Sequence, residues 1–335
     1  MEFSPAFILL LLLALVFGFL DGFHNSANVV ATVISSRAMR PRQSLLLAAI
    51  AEFIGPFLFG VAVAKTIGAD LVEPYAITVP VVAAAILGAI LWKIITWYSG
   101  IPASSSHSLF GGLIGSVIIA SGASALKAEG IVTIVVSLLL SPLLGFVGGY
   151  IMMVVTLRLT RSSTPGINDF FRRGQLLTAS GLALSHGSNS AQKIMGMIVL
   201  GMVSTGMADT FTIPTWLIAV SAGTLALGTL FGGERIIRTL GAKFYKIRPV
   251  HGFTAQATTA TIVLGASLLG GPVSTTQTVS SSIVGVGAAE RRSKVRWQVF
   301  YDIALAWVLT IPATALLAAL LYFPLKLLVE AIGHG

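Results

Sequence analysis

The chain contains no cysteine. A disulfide framework, a thiolate metal centre and a cysteine nucleophile are therefore excluded. It is also poor in charge: 10% of its 335 residues are Asp, Glu, Lys or Arg, against about 25% in a soluble domain. Acidic residues are the scarcer, 12 against 21 Lys and Arg. With 55% hydrophobic residues, a chain of this length lacks the polar surface to cover itself, and lipid is the expected solvent. There is no HExxH sequence and no pair of aspartates at a consistent depth, which argues against an intramembrane enzyme. The first apolar run, Phe7 to Leu20, has no basic segment before it and no small-residue cleavage site before Asp21. It reads as a retained span rather than a signal peptide.

What the chain does have is a succession of apolar runs of about 20 residues, enough to cross a hydrocarbon core of about 30 Å. Four short basic clusters punctuate them: Arg37, Arg40 and Arg42; Arg158, Arg161, Arg172 and Arg173; Arg235, Arg238, Lys243, Lys246 and Arg248; Arg291, Arg292, Lys294 and Arg296. The other connections carry Asp70 and Glu73, Lys127 with Glu129, or Asp209. A net charge of +9 in this pattern marks loops held on the cytoplasmic side, not a nucleic-acid surface. The expected spans are residues 5–35 (interrupted), 43–64, 79–98, 104–120, 131–157, 175–203 (interrupted), 214–232, 251–269, 273–289 and 297–323. Both termini then lie outside the cell membrane and every basic cluster lies inside.

Two pairs of segments repeat. Gly100-Ile-Pro-Ala-Ser-Ser-Ser-His-Ser108 parallels Gly270-Gly-Pro-Val-Ser-Thr-Thr-Gln-Thr278, and Gly22-Phe-His-Asn-Ser-Ala-Asn28 more loosely parallels Gly187-Ser-Asn-Ser-Ala-Gln-Lys193. The offsets, 270 − 100 = 170 and 187 − 22 = 165, nearly agree. The expected division is a first repeat over 1–157, a basic cytoplasmic linker over 158–174 and a second repeat over 175–335. Five crossings in each unit would invert the second copy. The expected fold is thus an all-α polytopic membrane protein of about ten crossings, in two inverted-topology repeats with interrupted helices. Secondary transporters place substrate and coupling ions at the midplane of such a design. A channel would instead need a continuous pore lined by rings of like residues.

The Gly-x-Pro segments place Pro102 and Pro272 in a first helical turn, where a missing N–H costs nothing. Ser104, Ser105 and Ser106, and Ser274, Thr275 and Thr276, would then surround free backbone N–H groups at the positive end of a helix. Two such termini facing one another suit a tetrahedral oxyanion, with no arginine required. Sulfate would meet the same donors. Serine-rich helix starts also hold carboxylates, and hydroxyls with carbonyls also hold sodium.

Glu52 falls in mid-span, where a charge is costly and functional by default; cation coordination or proton exchange is the expected role. Lys193, close to Asn189 and Gln192, is placed to pair with an anionic substrate or with Glu52. His24, His107 and His186 lie at the edges of the motifs. Asp21 and Asp302 are expected near span ends, and Lys93 is expected to reach for the membrane interface.

These motifs resemble those of the PiT family of inorganic phosphate transporters. Asp21-Gly-Phe-His-Asn-Ser-Ala-Asn-Val-Val-Ala-Thr32 resembles its first signature, and Ser185-His-Gly-Ser-Asn-Ser-Ala-Gln-Lys193, with Gly196, its second. The two Pro-x-Ser segments, Glu52, Gly232-Gly-Glu-Arg-Ile-Ile237 and Trp307-Val-Leu-Thr-Ile-Pro312 also fit. The resemblance implies a symporter that imports phosphate with Na+ or H+, without a cofactor, from within the bilayer and as a homodimer. It implies substrate contacts from the hydroxyls at 104–106 and 274–276 with Asn28, Gln192 and Lys193. Coupling would involve Asn25, Asn189, Glu52, Asp21 and Ser190. The chain departs from the family in three places. Asn25 and Ser190 replace the signature aspartates, and Gln277 replaces a histidine. Asp21, one turn before Asn25, is placed to supply the missing charge. Hard oxygen ligands around Asn25, Asn28 and Asn189 tilt the expectation slightly towards sodium.

Overall fold

The computed structural model describes residues 4–69, 71–271 and 273–333. Asp70 and Pro272 lie outside them. Twelve α-helices fill the described chain: α1 (Pro5–Ser35), α2 (Pro41–Phe59), α3 (Ala62–Ala69), α4 (Val79–Ser99), α5 (Ser105–Ser121), α6 (Ala128–Leu159), α7 (Ile167–Ser204), α8 (Thr215–Phe231), α9 (Glu234–Arg238), α10 (Pro249–Leu268), α11 (Thr275–Arg291) and α12 (Trp297–Gly333). A π-helical turn, Thr239–Lys243, continues α9. Prolines start α1 and α2, and Pro249 starts α10, where the ring fits the helix and no hydrogen bond is lost.

Helices α1, α2, α4, α6 and α12 are long and apolar enough to cross a membrane, and the bent pair α8–α9 makes a sixth. The protein is a multi-pass membrane protein. Apolar side chains such as Leu139, Val308 and Leu327 are exposed on the outer helices, as a surface solvated by lipid requires. Helices α7 and α11 are more polar and sit inside: α11 buries every residue from Thr275 to Ala288.

The helices pack in reciprocal pairs. Helix α1 lies on α8 and α2 on α7; α6 lies on α11 and α5 on α12; α4 touches α1 and α10 touches α7. Glycines allow the tightest crossings. A Cβ at Gly22 would strike the Leu225 carbonyl of α8, and one at Gly228 the Phe19 carbonyl of α1. The α2–α7 crossing repeats this arrangement, Gly55 against the Leu184 carbonyl and Gly187 against the Glu52 carbonyl.

Several expected boundaries move. The spans 5–35 and 175–203 are not interrupted: α1 and α7 run unbroken through both signatures. Their amide and hydroxyl side chains find partners on neighbouring helices, so the backbone has no need to unwind. The breaks fall elsewhere. One separates α2 from α3 at Gly60, which has φ 78°; the expected 43–64 span therefore ends early. The others precede α5 and α11. The expected linker 158–174 shrinks to the turn at 160–166, because α7 begins at Ile167. Pro102 stands outside α5, two residues before its cap Ser104.

Candidate functional site

The site is assembled from two helix starts and two unbroken helices. Ser104 caps α5, its hydroxyl accepting from His107 N at 3.3 Å. Ser274 caps α11 identically, accepting from Gln277 N at 3.3 Å. Such caps use one orphan N–H and leave the others of the first turn free to point outward. The connections into both helices turn at a glycine of positive φ, Gly100 (66°) and Gly270 (74°). A threonine hydroxyl donates to each glycine carbonyl: Thr239 to Gly100 at 2.9 Å and Thr66 to Gly270 at 3.0 Å. On the α5 side, Trp307 Nε1 also donates to the Pro102 carbonyl at 3.2 Å.

Helices α1 and α7 bridge the two starts. From α1, Asn25 Nδ2 donates to Ser105 at 3.3 Å, while its Oδ1 accepts from Thr276 at 3.3 Å. Asn28 Nδ2 donates to Thr276 at 3.0 Å. From α7, Asn189 Nδ2 donates to Thr275 at 3.2 Å and to the Val273 carbonyl at 3.1 Å. Lys193 Nζ donates to Ser105 at 3.1 Å and Ser106 at 3.3 Å. Ser106 in turn donates to the Val273 carbonyl at 3.4 Å, joining the two starts directly. Ser105 is the most exposed of these residues, at 4%, so the cluster is closed to both sides of the bundle.

Two charged pairs flank the cluster. Asp21 Oδ1 accepts from Lys93 Nζ at 2.7 Å and from Asn25 Nδ2 at 2.7 Å. Glu52 accepts from Thr229 at 2.5 Å and contacts His186 Nδ1 at 2.8 Å. His186 Nε2 contacts Ser190 at 3.2 Å. All four charged or ionisable groups are buried.

This geometry sorts the sequence-based candidates. Ser105, Ser106, Thr275, Thr276, Asn25, Asn28, Asn189 and Lys193 converge, with Ser104 and Ser274 behind them as caps. Gln192 points elsewhere: its Oε1 accepts from Val63 N at 2.7 Å and Ala64 N at 3.3 Å, at the start of α3. Ser190 joins the Glu52 pair through His186. Lys193 does not reach Glu52; its partners among the described residues are the two serines. Asp21 is not near a span end but in mid-helix and buried. Lys93 does not reach the interface, because Asp21 holds it inside. Neither the Lys93 nor the Thr229 contact was foreseen. A lone lysine deep in the apolar run of α4 was the available signal, since a buried charge requires a partner.

The chain is similar to known proteins over nearly its whole length. The model of the phosphate transporter family matches residues 21–167 and 160–318. A probable low-affinity inorganic phosphate transporter of Bacillus subtilis is 43% identical over 325 residues, covering 96% of this chain and 97% of the relative. One of Rhizobium meliloti, described in the same words, is 41% identical over 321 residues, covering 95% and 96%. Among solved structures, a sodium-dependent phosphate transporter superposes with a TM-score of 0.87 at 25% identity, covering 97% of this chain and all of that one. Matches of this extent establish the lineage: the chain belongs to the phosphate transporter family.

Proposed function

We propose that this protein imports inorganic phosphate across the cell membrane by proton symport with alternating access. The observation that carries the substrate is Lys193. It is buried, at 1% exposure, and touches hydroxyls rather than a carboxylate. The neighbouring carboxylate, Asp21, is bound directly by Lys93 at 2.7 Å, so two buried lysines share one acid, and an incompletely compensated buried cation is costly. A phosphate between the α5 and α11 starts would neutralise it while accepting from the hydroxyls and free backbone N–H groups.

Two supports favour alternating access. The reciprocal helix pairs, with the matched Gly22/Gly228 and Gly55/Gly187 crossings, suit two inverted repeats. The Thr66–Gly270 and Thr239–Gly100 bonds suit a pair of latches, one towards each face, and with both made the site is closed. Breaking one at a time would open it to one side.

The proton is the first reading because both carboxylates already have close partners. Lys93 neutralises Asp21, and Glu52 is engaged by Thr229 and His186. The 2.8 Å contact between Glu52 and His186 allows a proton to be held between them. Sodium is the second reading. It is favoured by Asp21 Oδ2 and Asn189 Oδ1, buried hard oxygens with no hydrogen-bond partner among the described residues, and by the sodium dependence of the structural neighbour.

The test is uptake of labelled phosphate into proteoliposomes, with pH and sodium gradients imposed separately. Uptake driven by an inward proton gradient without sodium, and resistant to excess sulfate, is expected. Uptake that needs sodium at every pH would overturn the proton reading; complete competition by sulfate would overturn the substrate reading.

A further inference from the structure

A second basic site lies away from the transport cluster, at the end of the bundle that carries the arginine- and lysine-rich turns. A cavity of about 410 Å³ opens there, lined by Lys246, Arg248, His251, Glu290, Lys294 and Arg296. Its cations come from separate parts of the chain. Lys246 and Arg248 precede α10, whereas Lys294 and Arg296 lie in the turn between α11 and α12. Backbone and buried side chains tie the two segments together. Arg296 N donates to the Phe244 carbonyl at 3.1 Å, and Tyr245, buried beneath, donates its hydroxyl to the Ile283 carbonyl at 2.8 Å.

Four cations thus face one cavity with a single carboxylate, Glu290. That carboxylate is fully engaged. It accepts from Arg248, contacts His251 Nε2 at 3.0 Å and lies 4.0 Å from Lys294. It therefore serves as a brace that fixes Arg248 against α10. The side chains of Lys246 and Arg296 have no hydrogen-bond or ion-pair partner among the described residues and are exposed at the cavity. An orientation signal needs only that basic residues stay on one side of the membrane. It does not need cations from two segments gathered over a braced cavity, where their repulsion opposes the fold.

We propose that this cavity is a binding site for a phosphate-bearing anion, distinct from the transport site. Arg248 is held ready by Glu290, and Lys246 and Arg296 supply the free donors. The ligand is either an anionic lipid headgroup or free phosphate on the same side. Basic pockets at helix ends next to the bilayer suit the first; a product anion sensed after release suits the second. Both present the same tetrahedral oxygens to the same three cations.

The full-length protein distinguishes the sources. Phosphatidylglycerol carried by the purified protein is counted by native mass spectrometry, and binding of labelled inorganic phosphate is measured by equilibrium dialysis. Both are compared between wild type, Lys246→Ala/Arg296→Ala and the charge-conserving Lys246→Arg/Arg296→Lys. Neither position touches the transport cluster, and both side chains are exposed, so the fold is expected to survive. A tenfold or greater weakening of lipid retention in the alanine pair, kept in the conservative pair, establishes a lipid site. The same weakening of one class of phosphate sites, with a second class intact, establishes a free-phosphate site. Equal lipid retention and equal phosphate binding in all three proteins would overturn the proposal and leave the cluster as an orientation signal alone.

Discussion

The starts of α5 and α11 share a skeleton. Each has a serine cap, a positive-φ glycine four residues before it, a threonine hydroxyl on that glycine's carbonyl, and hydroxyls in the first turn. They differ in what faces them. Ser105 and Ser106 receive the ammonium of Lys193, while Thr275 and Thr276 receive the neutral amides of Asn189 and Asn28. The two flanking pairs differ as well. Asp21 is locked to a lysine, whereas Glu52 meets a histidine and a threonine. Two helix starts can therefore keep the same hydrogen-bonding frame while the charge around them is divided unequally. One side would neutralise the anion and the other would handle the proton.

The largest effect is expected where the asymmetry is greatest. Lys193→Gln removes the one cation that touches both serines, and losing a buried, hydrogen-bonded charge partner costs about 2–5 kcal/mol. Labelled-phosphate uptake and phosphate exchange should both fall, by roughly thirtyfold to several thousandfold. If both persist at wild-type levels, the charge difference between the two starts has no part in binding.

Glu52→Gln separates the two flanking pairs. It keeps the size of the side chain and a hydrogen-bonding oxygen but cannot take up a proton. Uphill uptake in proteoliposomes should drop to background, while exchange of phosphate at equal concentrations is retained. Normal uphill uptake would shift coupling to Asp21 and reverse the assignment of the pairs.

A smaller loss is expected from the hydroxyls themselves. Hydrogen bonds to a charged ligand contribute about 1.5–3 kcal/mol, so Ser105→Ala and Thr275→Ala should each raise the half-saturating phosphate concentration roughly ten- to a hundredfold. Similar losses at both would show that the anion spans the two starts. A loss at Ser105 alone would confine it to the lysine side.

The smallest effect belongs to the latches. A neutral hydrogen bond contributes about 0.5–1.5 kcal/mol net, a shift of roughly two- to tenfold between conformations. Thr66→Val and Thr239→Val should move this balance in opposite directions. The readout is the labelling rate, from each side of the membrane, of a single cysteine placed at Ser105. Shifts in the same direction would mean that the two latches do not alternate.

The sequence made the membrane class legible, because composition alone excludes a self-covering soluble surface. It also made both helix starts legible: Ser104 and Ser274 each precede a hydroxyl run, and both are caps. Other features were hidden. Gln192 and Lys193 are adjacent, yet consecutive side chains on a helix point about 100° apart, and only one of them faces the cluster. Lys93 looked like an interface residue until the depth of α4 against α1 set it beside Asp21. The polar signatures suggested broken helices, yet a run of amides leaves a helix intact when neighbouring helices supply its partners.

By itself, then, the sequence determined the solvent, the family and the chemical inventory of the candidate site. These follow from composition and from short motifs whose meaning lies in consecutive residues. Tertiary structure alone decided the charge pairing and which candidates converge. Asp21 and Lys93 are 72 residues apart and Glu52 and His186 are 134 apart. Contacts at that separation depend on how closely helices cross. The α2–α7 crossing that sets Glu52 beside His186 rests on Gly55 and Gly187, whose missing Cβ atoms let the backbones meet.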